Sequence, residues 1–506
     1  MKVIKNIIER LERRSFLVGI SLSGIAAFIY FYTIQFVTPF MLGEDSYYHI
    51  KFAYLSRVNG IIRSFPWAQF SLWKDHFYDK EFLYHLLLQP FTFGDLNYGG
   101  KLAAVLFGTA FFMTLYFVMK SNKLKYPLLW VAVTFCTTSF FLYRISITRP
   151  QTLSIIMSLI VVNLQLNKKY YKLIAAALIY SLAHTGSYIS LGYAFVIVLA
   201  EYLSEDKIDW KIPAYTAIGL LAGMFVHPNF PHNFIGWYIT NVNVITTAWS
   251  GVNTQIGIAG ELKPIDTRVF VYASMPILIP YFLAAYLLLR KKVTASAKTT
   301  TLFIIACAFL FAFFNSLRFV EFWTPFSIWF LASFYTDAQN EFDLKEWALR
   351  NRILFALAAA LFITVYSSFF WSSYKGLYND YRNNPNVVFN MDAIWMKHNI
   401  PDNSLVYTCD WDDAPYLFFG NDKARYLVFL DPHFMYDWDK VIWETWYRTS
   451  NGYMSNPHYQ LKNIFHAQYV YCTNDFKRFI DQMKKDTKGF KLLRESPKSL
   501  VFQVLD

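Results

Sequence analysis

A chain of 506 residues that is 55% hydrophobic, 20% aromatic and only 16% charged, with a mean hydropathy of +0.26, carries too much apolar surface for a water-soluble protein of its size. Its formal net charge of +12 would suit nucleic acid, but the basic residues lie in short clusters between apolar segments rather than along one face of a soluble domain. That pattern argues against a nucleic-acid partner and for a polytopic α-helical membrane protein whose charge encodes topology.

The N-terminus, MKVIKNIIERLERR, is like the basic start of a signal peptide, yet the apolar run from Phe16 to Val37 is long enough to span a bilayer and lacks a small-residue cleavage site. It reads as a retained first span. Further apolar runs at 101–119, 127–143, 152–166, 172–187, 188–201, 213–226, 270–289, 299–314, 319–335 and 352–371 bring the count to about eleven. With the N-terminus inside, Arg10, Arg13 and Arg14 share a side with Lys120, Lys123 and Lys125, with Lys168, Lys169 and Lys172, and with Arg290, Lys291 and Lys292. This is the positive-inside bias. The opposite side receives residues 38–100, the turn from Arg144 to Pro150, residues 227–268, the turn from Asn315 to Arg318 and everything after about 372. Residues 1–371 thus read as a membrane domain and 372–506 as an extracytoplasmic domain. In the latter the apolar runs shorten to strand length, as in SLVYT, ARYLVFL, AQYVYC and SLVFQVL, and alternate with helix-like stretches such as Asn474 to Lys485, the pattern of a soluble α/β domain. Of the four cysteines, Cys136 and Cys307 fall in apolar segments, while Cys409 and Cys472 can pair if their domain faces an oxidising compartment.

The first outer loop, 38–100, is dense in Asp, Glu, His and Tyr. Asp45, in GEDSYYH, follows the first span directly, with Glu44 beside it and His49 four residues on. A carboxylate held at a membrane surface is a candidate general base, because partial desolvation raises its basicity. The alternative is a solvated loop charge or the cap of a short helix over YYHIKFAYL. Further along, KDHFYDKEFLYH offers Asp75, His76, Asp79, Glu81 and His85. Asp79, Glu81 and His85, with Asp45, are candidate ligands for a divalent cation, although the spacing matches no specific metal motif and helix capping explains each residue alone.

Arg144 and Arg149 flank the outer turn YRISITRP, and Arg318 lies at the outer end of a span in NSLRFVEFWTP, with Glu321 one turn further in and expected to pair with it. Arginines converging from several outer loops can neutralise a lipid phosphate with bidentate geometry; snorkelling anchors are the alternative. His184, in LAHTGSY, is similarly placed, with a structural histidine as its other reading. Loop 227–268 runs from HPNFPHNF to GELKPID, and its length and glycines suggest a lid from which Glu261 reaches a site, or simple structural cover. In the C-terminal domain, TCDWDDAPYLFF and FLDPHFMYDWD set Asp410, Asp412, Asp413, Asp431, His433 and Asp437 beside Trp411, Phe434 and Trp438. Acids next to exposed aromatic faces suit carbohydrate; a buried turn scaffold is the alternative.

A long first outer loop opening on an acidic residue, an arginine near the outer end of a late span and a soluble C-terminal domain together resemble the GT-C superfamily of membrane glycosyltransferases. The superfamily includes the catalytic subunit of oligosaccharyltransferase and the lipid A aminoarabinose and protein mannosyl transferases. The resemblance spans the chain as an architecture and, as motifs, rests on GEDSYYH, DHFYDKEFLYH, RPQTLS, LRFVEFWTP and TCDWDD. The last looks like a distant counterpart of the WWDYG segment of oligosaccharyltransferase, but WWDYG itself is absent, so the resemblance does not carry acceptor-sequon recognition over to this chain. The resemblance implies that Asp45 orients or deprotonates the acceptor. It assigns the second acidic position to Asp79 or Glu81, the late-loop glutamate to Glu261 and the phosphate-binding arginine to Arg318. It further implies a sugar donor on polyprenyl phosphate or diphosphate, a glycan, lipid or protein acceptor, inversion at the anomeric carbon, and a divalent cation such as Mg or Mn in some members. No nucleotide cofactor is expected, and no P-loop or dinucleotide-binding glycine pattern is present in the sequence. The basic inner loops fit a prokaryotic plasma membrane. A transporter of lipid-linked sugars would instead carry charge at mid-membrane in paired broken helices, and a non-catalytic scaffold would have no need to gather acids and arginines at one face.

Overall fold

Each apolar run lies in helix in the computed structural model, which describes residues 2–243, 246, 260–342, 344–383 and 387–506. Among the described residues six helices are long and apolar enough to cross a membrane: Arg14–Gln35, Leu96–Ser121, Thr185–Ser204, Thr267–Leu289, Ala297–Asn315 and Arg352–Arg382. A seventh is available if Pro127–Phe135 and Ser139–Ser146, bent by 94° at their junction, count as one. The other segments of the expected eleven are the short apolar helices Pro150–Leu166, Tyr170–Ala183 and Lys211–Val226, and Val320–Glu341, which is long enough but less apolar. The chain is a multi-pass membrane protein, with six or seven helices meeting both criteria.

Contacts divide the chain into two units. The first comprises Met1–Thr38, Lys101–Met224 and Gly260–Asn383, and the second Pro39–Gly100, Phe225–Ala259 and Asn384–Asp506.

The first unit is helical throughout. Its core is aromatic: Trp323 and Trp329 are fully buried, Phe112 stacks on Phe135 with ring centres 3.9 Å apart, and Phe309 packs flat on both Phe322 and Phe326. Close helix approach depends on small residues, as membrane helices require when lipid offers no hydrophobic drive for association. A Cβ on Gly219 would stand 2.5 Å from the Ile174 carbonyl oxygen, and one on Gly223 would stand 2.7 Å from Ser181 Cβ. The 94° bend follows from Thr137 and Thr138. Hydroxyls this close to the backbone compete with helical hydrogen bonding, and Thr138 Oγ1 accepts from the Phe140 N–H at 3.1 Å, capping a new helix. That helix, Ser139–Ser146, carries Arg144; the next begins at Pro150, directly after Arg149.

The second unit is built on a five-stranded sheet. Its strands are β1 (Leu405–Thr408), β2 (Arg425–Tyr426), β3 (Tyr469–Thr473), β4 (Phe490–Glu495) and β5 (Ser499–Val504), in the order β2-β1-β3-β5-β4. The β1–β2 and β1–β3 pairs are parallel, and the pairs made by β5 are antiparallel. Cys409 and Cys472, one residue beyond the paired Thr408 and Tyr471, form a disulfide. The first outer loop belongs to this unit in hydrogen bonds as well as packing. Gln69 N–H donates to Tyr426 O and Phe70 N–H to Leu427 O, both at 2.9 Å, and Tyr426 N–H donates back to Trp67 O at 2.7 Å. This covers the free edge of β2. Helix Glu44–Asn59 contributes Tyr48 and Phe52 to one core with Phe65, Trp73, Phe418 and Phe429.

Candidate active-site residues

Glu44 and Asp45 open the helix Glu44–Asn59 after Gly43, whose φ of 79° is left-handed. Acids in a first turn sit well against the helix dipole. Glu44 Oε1 accepts from the Tyr416 hydroxyl at 3.2 Å, and Tyr416 lies in helix Ala414–Gly420, directly after TCDWDD. The backbone there folds tightly, with Asp412 N–H donating to Asp410 Oδ1 at 3.3 Å. The result is a gathering of like charge. Burial first, then the charges of Asp410, Glu44, Asp45 and Asp413, pushes the Asp412 carboxyl up to about 9. Burial, then Asp410, Asp475 and Glu44, lifts Asp413 well above the usual carboxylate range, and burial likewise raises Asp410. Asp413 is buried, and its Oδ2 has no hydrogen-bond partner among the described residues. Such a set holds protons, or is completed by a cation.

The aromatic residues expected to offer open faces do not. Trp411 and Phe434 are buried in the core of their unit, where Phe434 packs against Trp73 at 5.0 Å, because the sheet and the first outer loop share that core. Trp438 is half-buried and donates from Nε1 to Asp75 at 3.3 Å. Asp431 holds the buried His433 through Oδ1 at 2.7 Å. Burial opposes both charges, but the pairing lowers the Asp431 carboxyl and raises the His433 imidazole.

In the same unit the other acids and histidines of the first outer loop form a second group. His85 Nδ1 meets Asp79 Oδ1 at 2.8 Å, and His85 faces His49 across 2.8 Å. Asp79 is set by Asn229, whose Oδ1 accepts from Asp79 N–H at 3.1 Å, and by His227, whose Nε2 lies 3.0 Å from Asp79 O. The residues drawn into a metal-competent group are His49, Glu81 and His85. His49 is the member that sequence reasoning passed over; the available signals were its helical spacing from Asp45 and the matching i, i+4 spacing of Glu81 and His85. His76 lies apart from this group, with its Nδ1 3.1 Å from His232 Nδ1.

The first unit holds the arginines. Arg144 is buried and bonds two carboxylates, Glu321 through Nε and Glu261 through Nη1. Arg149 Nη1 donates to Glu261 at 3.0 Å, and Arg318 Nη1 lies 3.9 Å from Glu261 Oε1. Burial alone would raise the Glu261 carboxyl, but Arg144, Arg149 and Arg318 hold it well below the usual carboxylate range. Three guanidiniums thus surround two carboxylates, leaving one positive charge in excess. The expected pairing of Glu321 with Arg318 is not the one formed. Glu321, fully buried in the first turn of its helix, is met by Arg144, while Arg318 stays about a third exposed in the preceding turn. Glu261 opens the described end of its loop, and Ser316 Oγ donates to its backbone carbonyl at 3.0 Å. Residues 247–259, the middle of the expected lid, lie outside the described residues. His184 Nδ1 accepts from Gly186 N–H at 2.9 Å and so caps the turn Thr185–Tyr188.

No protein-family profile matches the chain, and no curated protein matches it in sequence. Solved structures do match. The oligosaccharyltransferase of Archaeoglobus fulgidus in the apo form aligns with a TM-score of 0.66 at 12% identity, over 90% of this chain and 70% of its own. ArnT from Cupriavidus metallidurans bound to undecaprenyl phosphate aligns at 0.57 and 10% identity, over 96% of this chain and 98% of its own. The arabinofuranosyltransferase AftD from Mycobacteria aligns at 0.55 and 10% identity, over 96% of this chain and 40% of its own. The archaeal enzyme, AglB, was also solved with an inhibitory peptide and a dolichol-phosphate. At these identities the likeness is one of fold: the chain has the fold of the GT-C glycosyltransferases.

Proposed function

We propose that the protein is an integral membrane glycosyltransferase that moves a sugar from a polyprenyl-phosphate or polyprenyl-diphosphate donor to an acceptor at the outer face of the membrane. The observation that carries this reading is the arginine group, three guanidiniums and one excess positive charge over Glu261 and Glu321, in a chain with the fold of proteins solved with dolichol-phosphate and undecaprenyl phosphate. A lipid phosphate is the anion such a group suits. Because the donor is anchored in the bilayer, no nucleotide-binding domain is required.

In this mechanism an acceptor hydroxyl or amide attacks the anomeric carbon, and the bond from that carbon to the phosphate oxygen breaks. The electron pair leaves with the lipid phosphate, whose charge Arg149 and Arg318 stabilise while Arg144 anchors Glu261 between them. Asp45 takes or orients the acceptor proton, with Glu44 beside it, and the segment from Asp410 to Asp413 helps to seat the acceptor. His184 caps the turn Thr185–Tyr188 that opens the span Thr185–Ser204. The N-terminus is cytoplasmic and the C-terminal domain extracytoplasmic in a plasma membrane, by the distribution of lysine and arginine.

The test is release of labelled sugar from a pool of polyprenyl-linked donors by purified protein in detergent. Turnover that is lost in Arg149→Ala and Arg318→Ala supports the assignment; absence of turnover with every phosphate- and diphosphate-linked donor would remove it.

A further inference from the structure

We infer that His49, His85 and Glu81 form a binding site for a transition-metal ion of the zinc class, separate from any cation at Asp45, with Asp79 as the outer partner that orients His85. The inference stands on side-chain placement within the first outer loop and does not depend on the proposed glycosyl transfer.

His49 lies in helix Glu44–Asn59, Glu81 precedes helix Phe82–Leu88 and His85 lies within it. All three are buried, and one ligand atom from each falls within 4.8 Å of the others. The two imidazoles meet through His49 Nδ1 and His85 Nε2. Asp79 decides which proton His85 carries. Its Oδ1, which already accepts from Glu81 N–H at 3.1 Å, lies 2.8 Å from His85 Nδ1. A carboxylate accepts, so Nδ1 bears the hydrogen and Nε2 keeps the lone pair, which accepts from His49 Nδ1–H until an ion takes that proton's place. A ring nitrogen fixed by a carboxylate while the other faces a group of donors is the arrangement that orients metal-ligating histidines.

Glu81 supplies the second, independent observation. It is 4% exposed, its Oε2 has no hydrogen-bond partner among the described residues, and the nearest cation to its Oε1, Lys80, stands 3.7 Å away. A buried carboxylate oxygen without a partner is costly, and an ion between it and the two ring nitrogens removes that cost. Two imidazoles and one carboxylate favour zinc, cobalt, nickel or copper over magnesium or calcium, which prefer all-oxygen shells. Three protein ligands leave room for a water. A cavity of about 280 Å³, lined by Phe52, Arg57, Phe82 and Leu86 among others, reaches Asp79 and His85. The ion would tie helix Phe82–Leu88 to helix Glu44–Asn59 one turn after Asp45, so its effect is to hold the helix that presents that carboxylate.

The test uses the full-length protein in detergent, stripped with chelator and titrated with Zn²⁺ and, separately, with Co²⁺. The expected result is about one tightly bound ion per chain, released protons and a rise in the unfolding temperature, together with the visible absorption of low-coordinate cobalt. His49→Gln, His85→Gln and Glu81→Gln should each abolish stoichiometric binding, and Asp79→Asn should weaken it roughly 10- to 100-fold. Where a variant fails to fold, the wild-type cobalt spectrum still decides. No saturable binding to wild type, an octahedral aquo-like cobalt spectrum, or undiminished stoichiometry in folded Glu81→Gln and His49→Gln would overturn the site and leave His49, His85 and Asp79 as a metal-free hydrogen-bond relay.

Discussion

The two charged centres of this chain solve the problem of buried charge in opposite ways. In the helical unit, Arg144, Arg149 and Arg318 are distributed over Glu261 and Glu321, so nearly every charge has an opposite neighbour and only a small positive excess remains. In the unit built on the sheet, Asp410, Asp412 and Asp413 lie among Glu44, Asp45 and Asp475, and the strongest charges they feel are of their own sign. The first centre is nearly balanced in charge and biased toward an anion. The second is incomplete and is finished by protons, a cation or a polar acceptor. The contrast matches a reaction with an anionic leaving group and an acceptor that must lose a proton.

The sharpest break of the first centre is Arg144→Ala. It leaves Glu321 buried and unpaired, and removing one partner of a buried pair costs roughly 3–5 kcal/mol. Chemical or thermal unfolding of the purified variant should show that loss, and Glu321→Gln combined with Arg144→Gln should recover part of it. Arg318→Ala is the milder change, because its side chain is about a third exposed. Stability should hold while affinity for polyprenyl phosphate falls by roughly 1.5–3 kcal/mol, the worth of a charged hydrogen bond. Lysine there should restore less than half of that, since it lacks the bidentate fork.

The second centre is probed by pH. The folded Asp412 carboxyl, at about 9, lies above its ordinary 3.8, so between those values the folded state binds the extra proton and stability falls as pH rises. Melting curves from pH 4 to 9 should show that decline, flattened in Asp412→Asn and relieved by millimolar Mg²⁺ or Mn²⁺. A slope identical in wild type and variant would show that the carboxylates are not coupled. The smallest expected effect is at Cys136, a half-buried thiol outside both centres. Cys136→Ala should leave donor binding within experimental error and change stability by roughly 0.5 kcal/mol or less.

Much of the frame is legible in the sequence because it is governed by local composition. Apolar runs of span length make helices, and the shorter runs SLVYT, AQYVYC and SLVFQVL become β1, β3 and β5. The strand β4, FKLLRE, escapes notice because it is an edge strand with exposed and half-buried positions rather than an apolar run. The site is only partly legible. Asp45, Glu261 and the arginines stand out as charges beside spans, but the partner of Glu321 is set by a contact with Arg144, 177 residues away in the chain. No spacing encodes that contact. Trp411 reads as an exposed platform because its neighbours are acidic; it is buried because the first outer loop shares the core beneath it.

The most direct measurement separates donor binding from turnover in one pair of variants. Purified Asp45→Asn and Arg318→Ala, each shown to be folded, would be compared with wild type for binding of labelled polyprenyl-phosphate sugar and for its transfer or release. Asp45→Asn is expected to bind donor as wild type does but to lose roughly 10²- to 10⁴-fold in turnover, the usual contribution of a general base, whereas Arg318→Ala loses donor binding first. Full turnover by Asp45→Asn, or equal donor affinity in wild type and Arg318→Ala, would contradict these roles.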